Sequence, residues 1–289
     1  MKTAQLDRRH FAWLSIVAAI ATIALKTLAW WITGSVSLLS DALESLVNLA
    51  GASFALWMIL ITRVPADDEH PFGHGKAEYF AGGFEGVLIF GAALAIIVTA
   101  VQRLLVPQPL EAIGLGLGFS VLSTAINFGV AVALRKAGAR LNSFALEADS
   151  KHLMTDVWTS VGVVAGLVIV ATTGSLWIDP VVAIAVGVHI IVEGYRLVRA
   201  SVDGMMDGAL VEDRLANIKS TLDSFAERDV AYKNLKTRRA GTVSFIQVDI
   251  LVPRQWTVGQ GHDLLDEIES RLASTVPDAS IVTHLEPKD

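Results

Sequence analysis

At 289 residues, with 53% hydrophobic content and a mean hydropathy of +0.52, the chain is too apolar for an ordinary soluble protein. It has no cysteine, which excludes disulfides and thiolate metal sites and leaves carboxylate, imidazole and amide groups to hold any metal. Residues 1–202 carry 14 acidic and 13 basic side chains and residues 203–289 carry 15 and 10, so the net charge of −6 sits mostly in an acidic C-terminal part, which argues against nucleic acid as a partner.

Six apolar runs are long enough to cross ~30 Å of hydrocarbon at ~1.5 Å per residue: 11–32, 36–61, 79–104, 112–135, 145–172 and 178–200. The first, Phe11 to Ile32, is longer than a signal-peptide core and lacks a cleavage site, so it reads as a retained transmembrane helix. Loops 33–35, 105–111 and 173–177 contain no Lys or Arg, while Lys2, Arg8, Arg9, Arg63, Lys76, Arg135, Lys136, Arg140, Arg196 and Arg199 collect on the other side. The positive-inside rule then places both termini in the cytoplasm. Trp30, Trp31 and Trp177 fall near the opposite interface, and glycines of the third and fourth spans suit close helix packing.

Two spans carry ionisable residues at one spacing. Asp41-x2-Glu44-x3-Asn48 lies in the second and Asp149-x2-His152-x3-Asp156 in the fifth. Offsets of 0, 3 and 7 share one helix face, so each trio projects as a polar stripe. Polar groups at membrane depth are expensive and by default functional. Counted from the span entrances, Glu44 and Asn48 lie about 12–18 Å down from one side, and His152 and Asp156 about 9–15 Å up from the other. In a ~30 Å core the two stripes meet near the midplane. One imidazole, two carboxylates and an amide suit Zn²⁺ and tolerate Fe²⁺, Co²⁺ or Mn²⁺.

After about Asp203 the chain turns polar. Residues 209–226 have helical periodicity, strand-like runs follow at 231–239 and 242–252, then a helix at 257–275 and a short strand at 279–285. In VSFIQVDILV, residues Val243, Phe245, Gln247 and Asp249 fall on one strand face. The order αββαβ predicts a small sandwich with helices over one face of a sheet, and His262, Asp249, His284 and Glu286 are candidates to gather at one edge.

The loop between the second and third spans reads Asp67-Asp68-Glu69-His70-Pro71-Phe72-Gly73-His74-Gly75-Lys76-Ala77-Glu78. D-x-x-H-x-x-x-H followed by GKAE resembles the signature of the cation diffusion facilitator family. The resemblance covers nearly the whole chain. It implies an α-helical membrane protein with six transmembrane helices and a C-terminal cytoplasmic α+β (αββαβ) metallochaperone-like domain. Residues 1–202 would be the membrane domain and 203–289 the regulatory metal-binding domain. The activity it implies is divalent metal/proton antiport by a homodimer, with protons as counter-ion; the orientation and the compact, bacterial look of the chain point to the inner (plasma) membrane.

The resemblance places the transport site at Glu44, Asn48, His152 and Asp156. Asn48 stands where zinc and iron members carry a carboxylate, and Asp41, one turn from Glu44, is a candidate for the missing oxygen. Asp67, His70 and His74 match a second metal site near the cytoplasmic surface. In the tail, Lys233, Asp249, His262, His284 and Glu286 match a binuclear site. Lys233 replaces a His ligand there and repels a cation, leaving His262, His284 and Glu286 for one ion. Lys76 and Asp207 match an ion pair joining the third span to the tail. His189 and Glu193, spaced i, i+4 on the sixth span, are a weaker ligand candidate.

The expected function is export of a divalent transition metal, Zn²⁺ ahead of Fe²⁺, Co²⁺, Cd²⁺ or Mn²⁺, by alternating access at the midplane. The tail would sense cytoplasmic metal. The competing readings are a membrane metal sensor or scaffold that binds without transporting, and an intramembrane hydrolase with a metal-activated water, which nothing in the sequence beyond the metal-like residues suggests.

Overall fold

Long helices fill the first two-thirds of the chain: α1 (Arg8–Thr33), α2 (Val36–Ile61), α3 (Ala77–Leu105), α4 (Leu115–Leu141), α5 (Phe144–Thr173) and α6 (Ile178–Met205). Each has 26 to 30 residues, enough to cross a bilayer core. The computed structural model describes residues 7–33, 36–106, 115–173 and 177–288. Within its helices, the side chains of 29, 30, 32, 33, 36–44, 47, 115–117, 120, 163–173 and 179 lie outside the described set. Among the described residues, Arg8–Leu28, Ala77–Leu105 and Pro180–Met205 are each long and apolar enough to span a membrane. The chain divides into two compact units, 1–202 and 203–289.

In the first unit α1 packs on α2 and α4, α4 on α5, and α3 on α2 and α5. The α3 helix shows why this is a membrane bundle. Phe80, Phe84, Val87, Phe90, Leu94 and Val98 point outward, while Ala81, Gly82, Glu85, Gly86, Ile89 and Ala93 are buried. With hydrocarbon outside there is no hydrophobic drive between helices, so small residues and polar groups line the contacts. A Cβ added at Gly86 would lie 2.6 Å from Val198 Cγ2 and 3.3 Å from the Gly194 carbonyl, so α3 and α6 touch backbone to backbone there. Gly82 and Gly83 are similarly crowded, by Phe144 and Ser201, whereas Gly91 and Gly118 face open space.

The start of α3 is pinned by the last residue of the GKAE run. Glu78 is fully buried and accepts from Arg8 of α1, from Ser143 Oγ at 2.7 Å and from the Ala145 backbone N–H at 3.2 Å. One carboxylate thereby ties together α1, α3 and the junction between α4 and α5. Each bond satisfies a group that hydrocarbon could not.

The second unit holds α7 (Glu212–Asp223), a 3₁₀ turn (Ala226–Arg228), β1 (Ala231–Ala240), β2 (Val243–Val252), α8 (Val258–Thr275) and β3 (Ala279–Pro287). The sheet order is β1-β2-β3, with β1/β2 antiparallel and β2/β3 parallel. A two-residue turn joins the hairpin, and Gly241 at φ 61° supplies the positive φ its first position needs. The parallel step requires a crossover, which α8 provides, starting from a Thr257/Gln260 capping box. Ser244, Ile246, Val248, Ile250 and Val252 face inward, where the apolar side chains pack with Ile218, Leu222, Phe225, Leu264, Ile268 and Leu272. Val243, Phe245, Gln247 and Asp249 take the other face, as the period-two reading expects.

Candidate metal centre in the helix bundle

The fifth span delivers His152 and Asp156 one turn apart, and α2 places Asn48 against both. His152 is 5% exposed and Asn48 6%. His152 Nε2 lies 2.7 Å from Asn48 Oδ1, which can only accept, so this ring nitrogen donates. Asn48 Nδ2 in turn donates to Asp156 Oδ2, and Asn127 Nδ2 of α4 approaches the same oxygen at 3.4 Å. The result is a string of imidazole, amide and carboxylate joining α5 and α2, buried at His152 and Asn48 and half-buried at Asp156, with Asn127 approaching from α4. The same atoms, His152 Nε2, Asn48 Oδ1 and Asp156 Oδ2, are nitrogen and oxygen donors able to turn toward one divalent cation. The side chains of Glu44 and Asp41, on the same helix as Asn48, lie outside the described residues.

Glu85 of α3 did not figure among the sequence candidates. It is 1% exposed, and its Oε2 sits 3.0 Å from His152 Nδ1. Distance and alignment disagree here: neither carboxylate oxygen, nor Nδ1, makes a hydrogen bond. A Cβ on Gly51 of α2 would fall 2.6 Å from Glu85 Oε1, so that glycine leaves room for the carboxylate. The available signal was a lone acid in the apolar run FEGVLIF, at a depth where charges are expensive. Asp149, the first member of the fifth-span stripe, is also buried, with Oδ2 unbonded.

The loop between α2 and α3 brings Asp67, His70 and His74 together, with one ligand atom of each within 4.8 Å of the others. His70 Nδ1 is 3.4 Å and His74 Nε2 3.6 Å from the Asp67 carboxylate. His74 Nδ1 meets the Val64 carbonyl at 3.3 Å, which leaves Nε2 for the Asp67 side. The His70 backbone N–H, 2.6 Å from Asp67 Oδ1, is the main cause holding the Asp67 carboxyl below its ordinary range. Among the described residues, this trio is the one group of three His or acidic side chains that comes so close.

The tail residues assemble differently. The sheet register sets Lys233 beside Asp249 and Asp249 beside His284. Lys233 Nζ bonds Glu286 Oε2 at 2.6 Å, Asn234 donates to Asp249 at 2.7 Å, and His284 Nε2 stands 3.7 Å from Glu286 Oε1. His262, on α8, is exposed and faces Asp266 at 4.0 Å. These positions do not close into a trio as tight as that of the loop. Asp207 accepts from Arg238 at 3.0 Å within the second unit. Glu193 pairs with Arg196 at 2.7 Å, and His189 meets the Trp158 ring edge-on. His189 and Glu193 line a cleft of about 230 Å³ with Arg135, Lys151 and Trp158.

A bundle of apolar helices with polar side chains buried between them is the architecture of a helical membrane protein. Residues 12–206 match the cation efflux transmembrane domain, and residues 210–288 match the cytoplasmic domain of cation efflux proteins. The chain belongs to the cation diffusion facilitator family, as a cation efflux transporter with membrane-spanning helices and a dimerisation domain. It is 50% identical over 285 residues to an uncharacterized transporter of Synechocystis sp., covering 99% of this chain and 92% of that one. It is 30% identical over 274 residues to the cation-efflux pump FieF of Salmonella paratyphi A, covering 93% and 89%. With FieF of Yersinia pestis the figures are 30% over 288 residues, 98% and 95%. A solved CzrB chain is 32% identical over 28% of this chain and all of its own length. At a TM-score of 0.27 it bears on neither fold nor site.

Proposed function

We propose that this protein exports a divalent transition-metal cation, Zn²⁺ first among them, from the cytoplasm in exchange for protons. The observation that carries the reading is the hydrogen-bonded string His152–Asn48–Asp156 joining α5 to α2, with its His and Asn buried. Glu44, with Asp41 as an additional oxygen, would complete the ligand set from α2. Metal ligands must be deprotonated, so metal and protons compete for His152, Asp156 and Glu44. In a cytoplasm-facing state metal displaces protons; in an outward-facing state protons displace metal. Alternating access to one site then yields exchange. No thiolate and a single imidazole hold the ion loosely enough to release it.

In this reading the chain sits in the inner membrane with both termini in the cytoplasm, following the distribution of basic loop residues. Residues 203–289 act as a cytoplasmic regulatory domain of a homodimer. Asp67, His70 and His74 form a second metal site at the membrane surface, Asp249, His262, His284 and Glu286 a tail site, and Lys76–Asp207 an ion pair at the hinge. The test is Zn²⁺ uptake into proteoliposomes with and without an imposed proton gradient. Uptake that follows the gradient supports exchange. Uptake indifferent to it removes the coupling, and metal binding without flux would mark a membrane sensor.

A further inference from the structure

Glu85 has the burial and placement of a functional group, yet the transport scheme above does not use it. A carboxylate with 1% exposure, in a helix whose outer face is hydrocarbon, carries a large desolvation cost and persists where something compensates it. Neither of its oxygens has a hydrogen bond, and the polar atom against it is His152 Nδ1, at 3.0 Å.

The two nitrogens of that imidazole face different neighbours. Nε2 points to Asn48 and, through it, to Asp156, while Nδ1 points to Glu85. A histidine that binds a cation through one nitrogen keeps its proton on the other, and a carboxylate that accepts this proton fixes the ring's tautomer and orientation. The 3.0 Å distance from Nδ1 to Glu85 suits that arrangement once a cation takes the place of the proton that Nε2 donates to Asn48. Rotation of the carboxylate or of the ring would align the two groups.

Helix α2 is shaped for the same purpose. Gly51 lies one turn beyond Asn48, and any larger residue there would push on Glu85 Oε1, 2.6 Å from the position of a Cβ. One segment of α2 therefore supplies an amide to the front of His152 and the space for a carboxylate behind it. Asn48 contributes an amide to the site, and Glu85 places a carboxyl group within a single imidazole of it.

We infer that Glu85 is a positioning residue of the metal site, holding the His152 ring through Nδ1 so that Nε2 is presented to the cation beside Asn48 and Asp156. The inference rests on the proposed α2/α5 site and adds a third helix to it. Because α3 then grips the ring that α5 carries, ring orientation is coupled to how α3 and α5 pack.

The test is the Zn²⁺ concentration dependence of uptake by the full-length protein in proteoliposomes, for wild type, Glu85→Gln, Glu85→Asp, Gly51→Ala and Asp156→Ala. Glu85→Gln keeps the shape and removes the charge. Loss of such a supporting carboxylate typically weakens metal affinity by 10- to 100-fold. The expected result is a half-saturating Zn²⁺ concentration raised by about that factor, with the protein still monodisperse and dimeric. Glu85→Asp withdraws the carboxylate and Gly51→Ala displaces it, so both are expected to move half-saturation the same way. They decide the matter if Glu85→Gln does not fold. Wild-type half-saturation in Glu85→Gln, or in both other variants, would overturn the inference. The Asp156→Ala arm separates the two levels: its loss of uptake with Glu85→Gln unaffected removes Glu85 alone, whereas wild-type uptake by Asp156→Ala removes the site itself.

Discussion

Asn48 and Asp156 are joined by an amide-to-carboxylate hydrogen bond that ties α2 to α5 inside the bundle. The bond lets the two helices pack without placing two negative charges side by side. Asn48→Asp removes the donor and sets one carboxylate against another, worth roughly 4 kcal/mol of repulsion for unit charges 4 Å apart at an effective dielectric of 20. A divalent cation relieves that repulsion. The variant should therefore melt at a lower temperature than wild type in chelator and bind Zn²⁺ at least about tenfold more tightly, ~1.4 kcal/mol. An unchanged binding isotherm would mean that Asn48 is not a ligand.

The GKAE glutamate is expected to matter for stability rather than for metal. Glu78 is fully buried and takes three donors, one from α1 and two from the junction of α4 and α5. Removing one partner of a buried ion pair typically costs 3–5 kcal/mol. Glu78→Ala should lower the thermal midpoint of the solubilised protein markedly, while any protein that remains folded keeps its Zn²⁺ affinity. A midpoint equal to wild type would contradict the pinning role.

At the loop, the sign of the pH dependence follows from Asp67. Its carboxyl is held below the ordinary value of 3.8, first by the His70 backbone N–H and then by the charges of His74 and His70. A depressed carboxylate contributes order that is fully present above its unfolded value and lost as pH falls through the lowered one. Acidification from neutral pH to about 5 should therefore leave the Asp67–His70 turn intact, read from the His70 amide in hydrogen exchange. Melting of the turn well above the carboxylate range would contradict this. In the same loop, His70→Ala with His74→Ala should lower the bound-metal stoichiometry without removing transport-site binding.

In the tail, Lys233 Nζ occupies Glu286 at 2.6 Å. Lys233→His replaces an ammonium with a ligand and frees that carboxylate. The full-length protein should then bind additional Zn²⁺ per protomer, measured by titration beside wild type. Equal stoichiometry would show that the Lys is not what limits the site.

How much of this was legible beforehand depended on the kind of signal. The αββαβ order followed from turn residues and from alternation in VSFIQVDILV, because a strand with one buried face must repeat every two residues. The stripe of His152 and Asp156 stood out because charges in an apolar helix are rare. Glu85 did not, since a single acid gives no periodicity. Its contact with His152 comes from α3 packing against α5 and from the absence of a side chain at Gly51, both products of tertiary packing. Gly82 and Gly86 pack as close-approach positions while Gly91 does not. Composition reads them alike, because which face of α3 meets a neighbour is set by the bundle. The pairing of Lys233 with Glu286 depends on both the β1/β2 and the β2/β3 registers, which a sequence of separate strands does not specify.

The central claim is that cations cross this protein through the α2/α5 site, and the most direct measurement is Zn²⁺-driven proton flux in proteoliposomes, wild type beside Asp156→Ala, with Fe²⁺ and Mn²⁺ for comparison. The account predicts flux in wild type, strongest with Zn²⁺, and none in Asp156→Ala protein that remains folded and dimeric. Flux of equal size in the two would contradict it.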